Sequence, residues 1–208
     1  MIKIKNFIIF IIIFSVLNCS NEDKKIKINS ILLFGDSLMS GYGLLEEEHL
    51  SKILEKDLKL DGYSINVSNE SISGDTTFDG LNRIENIFLD KNYDLVIIGL
   101  GANDMLRGIN PNVTKKNLEK IIEIILKKNM KILLTGMVAS PSRGLEYKKK
   151  FDQIFPDLKN KYNLSFMPFL LKGVALKPKY NQSDLIHPNP QGIKLISNNL
   201  KEIIIDLM

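Results

Sequence analysis

The sequence predicts an α/β domain, a five-stranded parallel sheet with helices on both faces, from residue 28 to the end of the chain. Three observations carry this. Apolar runs of strand length alternate with amphipathic stretches of helix length. Residues 93–100 are apolar almost without interruption, as expected of a central strand covered on both sides. Polar turns containing glycine follow the first three runs: Gly35-Asp36-Ser37, Ser73-Gly74-Asp75 and Gly101-Ala102-Asn103-Asp104.

The first strand is expected over 28–34, ending at Gly35. A helix over 46–60 places Leu50, Ile53, Leu54 and Leu58 on one face. Residues 63–67 alternate like a second strand, and 76–88 follow helical spacing. The apolar run 93–100 is the third strand. The next helix, 113–128, has Leu118, Ile121, Ile122 and Ile125 as its core stripe. Residues 131–135 give a fourth strand. Tyr147, Phe151, Ile154, Phe155, Leu158 and Tyr162 then mark one long helix, kinked by Pro156. A short fifth strand, 164–167, precedes a final helix that carries Ile193, Ile196, Leu200, Ile203, Ile204 and Leu207. No internal repeat or low-complexity tract interrupts the pattern.

With 208 residues, 44% hydrophobic and 25% charged, the chain can bury the core of one ordinary domain. The formal charge is +4, and without Lys3 and Lys5 the balance falls to 26 basic against 24 acidic residues. These charges are dispersed and not interleaved with aromatics, so a nucleic-acid partner is not expected. Lys3 and Lys5 precede an apolar run over 7–17 that only Ser15 interrupts. A basic start, a short apolar stretch and a polar exit make 1–18 a signal peptide. The run falls short of the about 20 apolar residues that cross a bilayer. Cys19, the only cysteine, sits where the run ends. Val16-Leu17-Asn18-Cys19 resembles a bacterial lipobox, although Asn18 stands where Gly, Ala or Ser is usual. The expectation is therefore a lipidated Cys19, a polar tether over 19–27, and an exported lipoprotein on the periplasmic or outer-surface side of a membrane. The competing reading is an ordinary signal peptide with an incidental cysteine.

In open parallel sheets, ligands bind beyond the carboxyl ends of the strands, and the three polar turns fall at that edge. A serine there needs a base, and the base needs an orienting group. Two histidines are available. His49 follows Glu46, Glu47 and Glu48 on an expected helix and reads as a solvated surface residue. His187 lies in Asp184-Leu185-Ile186-His187-Pro188, where the Asp184 carboxylate can meet Nδ1–H while Nε2 faces outward. Alone, an Asp and a His at that spacing are equally well explained by a capped turn. Acyl transfer also requires donors for an oxyanion. Gly74 can offer a closely approached backbone N–H, Asn103 a side-chain amide, and Ser37 its own N–H. Taken singly, Gly74 reads as a turn residue and Asn103 as a cap.

Together, Gly35-Asp36-Ser37-Leu38, Gly74, Gly101-x-Asn103-Asp104 and Asp184-x-x-His187 resemble, in order and spacing, the four blocks of the SGNH, or GDSL, hydrolases. Residues 69–76 and 184–189 look closest to the branch holding the bacterial periplasmic thioesterase/lysophospholipase and its arylesterase relatives. The resemblance spans essentially all of 28–208. It implies a flavodoxin-like three-layer α/β/α sandwich, with Ser37 as nucleophile, His187 as base and Asp184 as its partner. It also implies that Ser37, Gly74 and Asn103 are the oxyanion donors, and that no metal or organic cofactor is needed. The expected reaction is hydrolysis of a small-molecule or lipid ester or thioester through an acyl-enzyme.

Other functions remain open at this level. One is a carbohydrate O-deacetylase or an acyl transferase on the same fold, and another is a non-catalytic surface lipoprotein that binds a ligand. Gly99-Leu100-Gly101 lacks the third glycine of a dinucleotide fingerprint, and Gly-x-Ser-x-Gly is absent. Two distant histidines and one cysteine are too few for a thiol or imidazole metal site. The loop 136–146, with Met137, Val138, Ala139 and Pro141, is expected to wall an acyl chain opposite residues 108–111. Ordinary loop packing explains both segments equally well.

Overall fold

The computed structural model describes residues 27–208, so the expected signal peptide, Cys19 and all of the expected tether but Lys27 lie outside the described residues. Five strands, β1 (Ser30–Gly35), β2 (Asn66–Asn69), β3 (Leu95–Gly99), β4 (Lys131–Thr135) and β5 (Ser165–Met167), pair in parallel in the order β2-β1-β3-β4-β5. The helices are α1 (Ser37–Ser40), α2 (Leu50–Leu60), α3 (Thr77–Ile87), α4 (Ala102–Arg107), α5 (Pro111–Lys127), α6 (Leu145–Asp152), α7 (Ile154–Tyr162) and α8 (Pro190–Leu207). Helix α2 packs against α8, while α3 packs on α5 and α5 on α6 and α7. Parallel neighbours require crossovers, and the helices supply them while covering both faces of the sheet.

Every residue of β3 is buried, as are Ile31, Leu32, Leu33, Phe34 and Gly35 of β1. These strands hold the centre of the sheet, which explains why they read as unbroken apolar runs. After β1 the chain moves outward to β2, then returns across β1 to place β3. Strand order therefore reverses between β1 and β3, where α/β sheets open a ligand crevice at their carboxyl edge. The two strands end level, Gly35 opposite Gly99. A Cβ on Gly35 would come within 2.7 Å of the Gly99 carbonyl oxygen and 2.9 Å of Met39 Sδ, so glycine is needed where the chain leaves β1.

Several sequence expectations are corrected. The second strand begins at Asn66, later than expected, because Tyr63 still closes the α2 terminus through its N–H to Leu58 O. Pairing then runs along a polar edge strand, which apolar alternation does not reveal. The helix expected over 46–60 is a single 3₁₀ turn (Glu46–Glu48), an extended His49, and α2. The long helix around Pro156 is not kinked there but broken upstream, at Gln153, into α6 and α7. Proline thus lands in the first turn of α7, where a missing N–H costs nothing. The short helices α1 and α4 were not expected.

Candidate active site

The site is built at the carboxyl edge from the ends of β1, β2 and β3 and the loop before α8. Asp36 caps α1: its Oδ1 accepts from Leu38 N–H at 3.0 Å, which turns Ser37 out as the first residue of the helix. Asp36 is fully buried, and its Oδ2 has no hydrogen-bond partner among the described residues. Burial pushes its carboxyl up to about 7, against the opposing pull of the Leu38 N–H, with the nearby charges of Asp104 and Asp75 adding to the rise.

Ser37 Oγ lies 2.9 Å from His187 Nε2, and His187 Nδ1 lies 2.6 Å from Asp184 Oδ2. The other carboxylate oxygen, Oδ1, accepts from the backbone N–H groups of Ile186 at 2.9 Å and His187 at 3.0 Å. This turn requires Leu185 to adopt a left-handed backbone, φ 59°. Four residues of chain thereby aim carboxylate, imidazole and serine in one line. The hydrogen bond from the His187 ring, followed by that from its backbone, holds the Asp184 carboxyl at about 2, below its usual range. Asp184 is thus ionised and able to hold the His187 ring through Nδ1.

Gly74 lies in the turn after β2 with φ +89°, a left-handed conformation that side chains rarely adopt. A Cβ there would meet nothing closer than Arg107 Nη2 at 3.9 Å, so backbone geometry and not crowding calls for glycine. Asn103, in α4, donates through Nδ2 to the carbonyl oxygen of Asp75 at 2.9 Å. That nitrogen carries a second hydrogen, which this bond leaves available. The loops are laced together: Ile72 N–H donates to Gly35 O at 3.1 Å, Asn69 Nδ2 donates to Met39 O at 2.9 Å, and the Ser40 and Ser73 hydroxyls meet at 2.9 Å.

All the expected site residues within the described chain (Ser37, Gly74, Asn103, Asp184 and His187) therefore gather at one edge of the sheet. His49 is not a solvated helix residue. It precedes α2 in an extended conformation, is half-buried, and its ring packs on Gly41, away from this hydrogen-bonded set. The apolar wall is also corrected. Met137 and Ala139 turn into the core, and residues 108–111 face Arg143 to Tyr147 across an open cleft of about 600 Å³ with a mixed polar and apolar lining.

Sequence reasoning missed four contributors. Asp104, within the third block, is buried and accepts from Thr77 N–H and the Thr77 and Thr114 hydroxyls, pinning α3, α4 and α5 together. Tyr42 places its ring centroid 4.4 Å from that of His187, and Gln182 Nε2 holds the segment by donating to Tyr42 O and Pro188 O. Arg83 reaches Asp75 from α3. Asp104 stands in the polar third turn, which does not announce its burial, and nothing local marks Tyr42, Gln182 or Arg83. Among the described residues, no group of three or more His, Cys, Asp or Glu side chains is placed to hold a metal ion.

A doubly wound parallel sheet, with a serine at the end of its first strand bonded to an Asp–His pair, defines the framework of an α/β serine hydrolase. The chain belongs to the GDSL-like lipase/acylhydrolase family, whose pattern matches residues 33–195. It is 34% identical over 161 residues to an arylesterase of Vibrio mimicus, covering 77% of this chain and 80% of that one. It is 32% identical over 161 residues to a thioesterase/protease/lysophospholipase of Escherichia coli, covering 77% and 76%. The crystal structure of the psychrotrophic esterase EstA from Pseudoalteromonas sp., inhibited by monoethylphosphonate, superposes with a TM-score of 0.82 at 31% identity. That match covers 86% of this chain and 97% of EstA.

Proposed function

We propose that this carboxylic ester hydrolase works through an acyl-enzyme on Ser37. The observation that carries the reading is His187 bridging Ser37 Oγ and Asp184 Oδ2 at 2.9 and 2.6 Å. His187 takes the serine proton as Oγ attacks the acyl carbon, and it then protonates the leaving alcohol or thiol. Asp184 holds the ring in the required tautomer and stabilises the imidazolium. The Ser37 and Gly74 N–H groups and the free hydrogen of the Asn103 amide receive the oxyanion, each such donor contributing about 2.7–4 kcal/mol. Water, activated by the same histidine, releases the acid.

The substrates are amphiphilic carboxylic esters and thioesters, of the kind named for the arylesterase and thioesterase/lysophospholipase relatives. The test is a panel of p-nitrophenyl butyrate, lysophospholipid, acyl-CoA and acetylated sugar, run on wild type and Ser37→Ala. Hydrolysis of the aryl ester that falls by about 10⁶-fold in the variant supports the reading. Activity that survives the substitution overturns it, and turnover confined to the acetylated sugar shifts the class to a deacetylase.

Cys19 is proposed as a lipidated N-terminus that anchors the enzyme to a membrane. The motif around it supports this, and so does the point of attachment, since the chain enters β1 at the sheet edge opposite Ser37. Incorporation of labelled palmitate and membrane fractionation, both lost in Cys19→Ser, test it. Equal release of both forms into the soluble fraction rejects the anchor.

A further inference from the structure

Arg83 stands on α3, eight residues after Asp75, outside every motif block. Its guanidinium nevertheless reaches the loops that carry the site. Nε donates to Asp75 Oδ2 at 2.7 Å, Nη1 to Glu70 O at 2.6 Å, and Nη2 to Gly35 O at 3.4 Å. Its Cζ lies 4.5 Å from the centroid of the Phe34 ring, the last residue before Gly35. The ion pair is mostly withdrawn from water, with side chains 19% and 11% exposed. One planar fork thus ties the end of β1, the chain after β2 and the oxyanion loop.

Asp75 is the connecting point. It directly follows Gly74, and its carbonyl oxygen accepts the Asn103 amide at 2.9 Å. Its side chain is held by Arg83 and its backbone holds Asn103, so Asp75 links both donors to Arg83, while Arg107 Nη2 holds the Gly74 carbonyl from α4 at 2.7 Å. The first three residues of this relay come from one short segment and the helix that follows it, whereas Ser37 is reached separately through Gly35.

We propose that Arg83 is a positioning residue for catalysis: through Asp75 it fixes the Gly74 peptide and the Asn103 amide relative to Ser37. This rests on Gly74 and Asn103 being the oxyanion donors. A misplacement of about 1 Å costs on the order of 10²-fold in rate. Lysine retains the charge facing Asp75 but, as a single ammonium, cannot reproduce the three-way fork. Arg83→Lys should therefore lower kcat on p-nitrophenyl butyrate by roughly 10- to 100-fold, with KM changed less than about threefold.

The experiment compares wild type, Arg83→Lys, Asn103→Ala and the double variant as the full chain in detergent, with urea melts run on each. The proposal predicts non-additivity: once Asn103 is absent, Arg83→Lys costs less than it does alone, because one of the two donors it positions has gone and only the Gly74 share of the loss remains. It is overturned if Arg83→Lys keeps wild-type kcat, or if the two losses multiply while the melt shifts, which marks Arg83 as structural only. If Asn103→Ala loses no kcat, the oxyanion reading fails first, and the proposal fails with it.

Discussion

Asp36 and Ser37 are neighbours in sequence with opposite surroundings: the carboxyl is buried and the hydroxyl faces the histidine. Burial raises Asp36 from 3.8 to about 7, so between those values the native state holds a proton that the unfolded chain has already released. Its contribution to stability is fully present below about 3.8 and is lost as pH rises through about 7. Asp36→Asn mimics the neutral acid and keeps an oxygen for the Leu38 N–H. Thermal melts from pH 4 to 9 should show wild type losing Tm toward the alkaline end and the variant losing less; parallel curves reject this. Asp184 behaves in the opposite way. Held at about 2, it stays ionised across the working range, so any acid limb of activity above pH 4 arises elsewhere. Asp184→Asn should lower kcat by about 10⁴-fold by presenting the wrong His187 tautomer. Stopped-flow acylation would register it, and a loss under tenfold would exclude the assigned role.

At the scale of elements, helix termini set the site. Thr76 and Asp79 form a reciprocal cap that starts α3 one residue after Asp75, fixing the point from which Arg83 reaches back. Asn189 starts α8 two residues after His187. Its Oδ1 accepts from Gln191 and Gly192, and its Nδ2 donates to Lys179 O and Asn181 O. One side chain therefore closes the helix end and ties down the loop that presents the base. Asn189→Ala should cost about 1–2 kcal/mol in a urea melt. Because His187 shares that loop, kcat should fall as well; unchanged kcat at reduced stability would separate the cap from the catalytic loop. The helices that periodicity captured, α2, α3, α5 and α8, are those that carry a buried apolar stripe. Those it missed, α1 and α4, are single turns organised by a cap and by the buried Asp104, so they carry no stripe to detect.

Over the whole molecule, catalysis depends on β1 and β3 lying side by side at the centre of the sheet, since Ser37 leaves one and Asn103 leaves the other. Ile97 is fully buried in β3 beside Leu33. Ile97→Ala should destabilise the fold by about 2–5 kcal/mol. Calorimetry tests the loss, and a Tm within a degree of wild type would show that the central layer relaxes around the cavity. The 163 positions matched by the family pattern begin inside β1 and end inside α8, so the match spans the sheet and the loops at its carboxyl edge.

The sequence by itself determined the alternation of strands and helices, the edge at which the polar turns would meet, and the choice of Ser37, Gly74, Asn103, Asp184 and His187 as the candidate site residues. These are local properties, written in periodicity and in short motifs whose chemistry depends on residue type. Only the tertiary structure decided that Arg83 grips Asp75, that Tyr42 lies against His187, and that Met137 and Ala139 belong to the core. The contact of Tyr42 and the burial of Met137 and Ala139 depend on which strands become neighbours, and the Arg83 fork depends on how the turn before α3 folds back; none of these leaves a periodic trace in the chain. Asp36 shows the division most directly: the motif supplied the acid, and only burial left one of its oxygens without a partner among the described residues and raised its carboxyl to about 7.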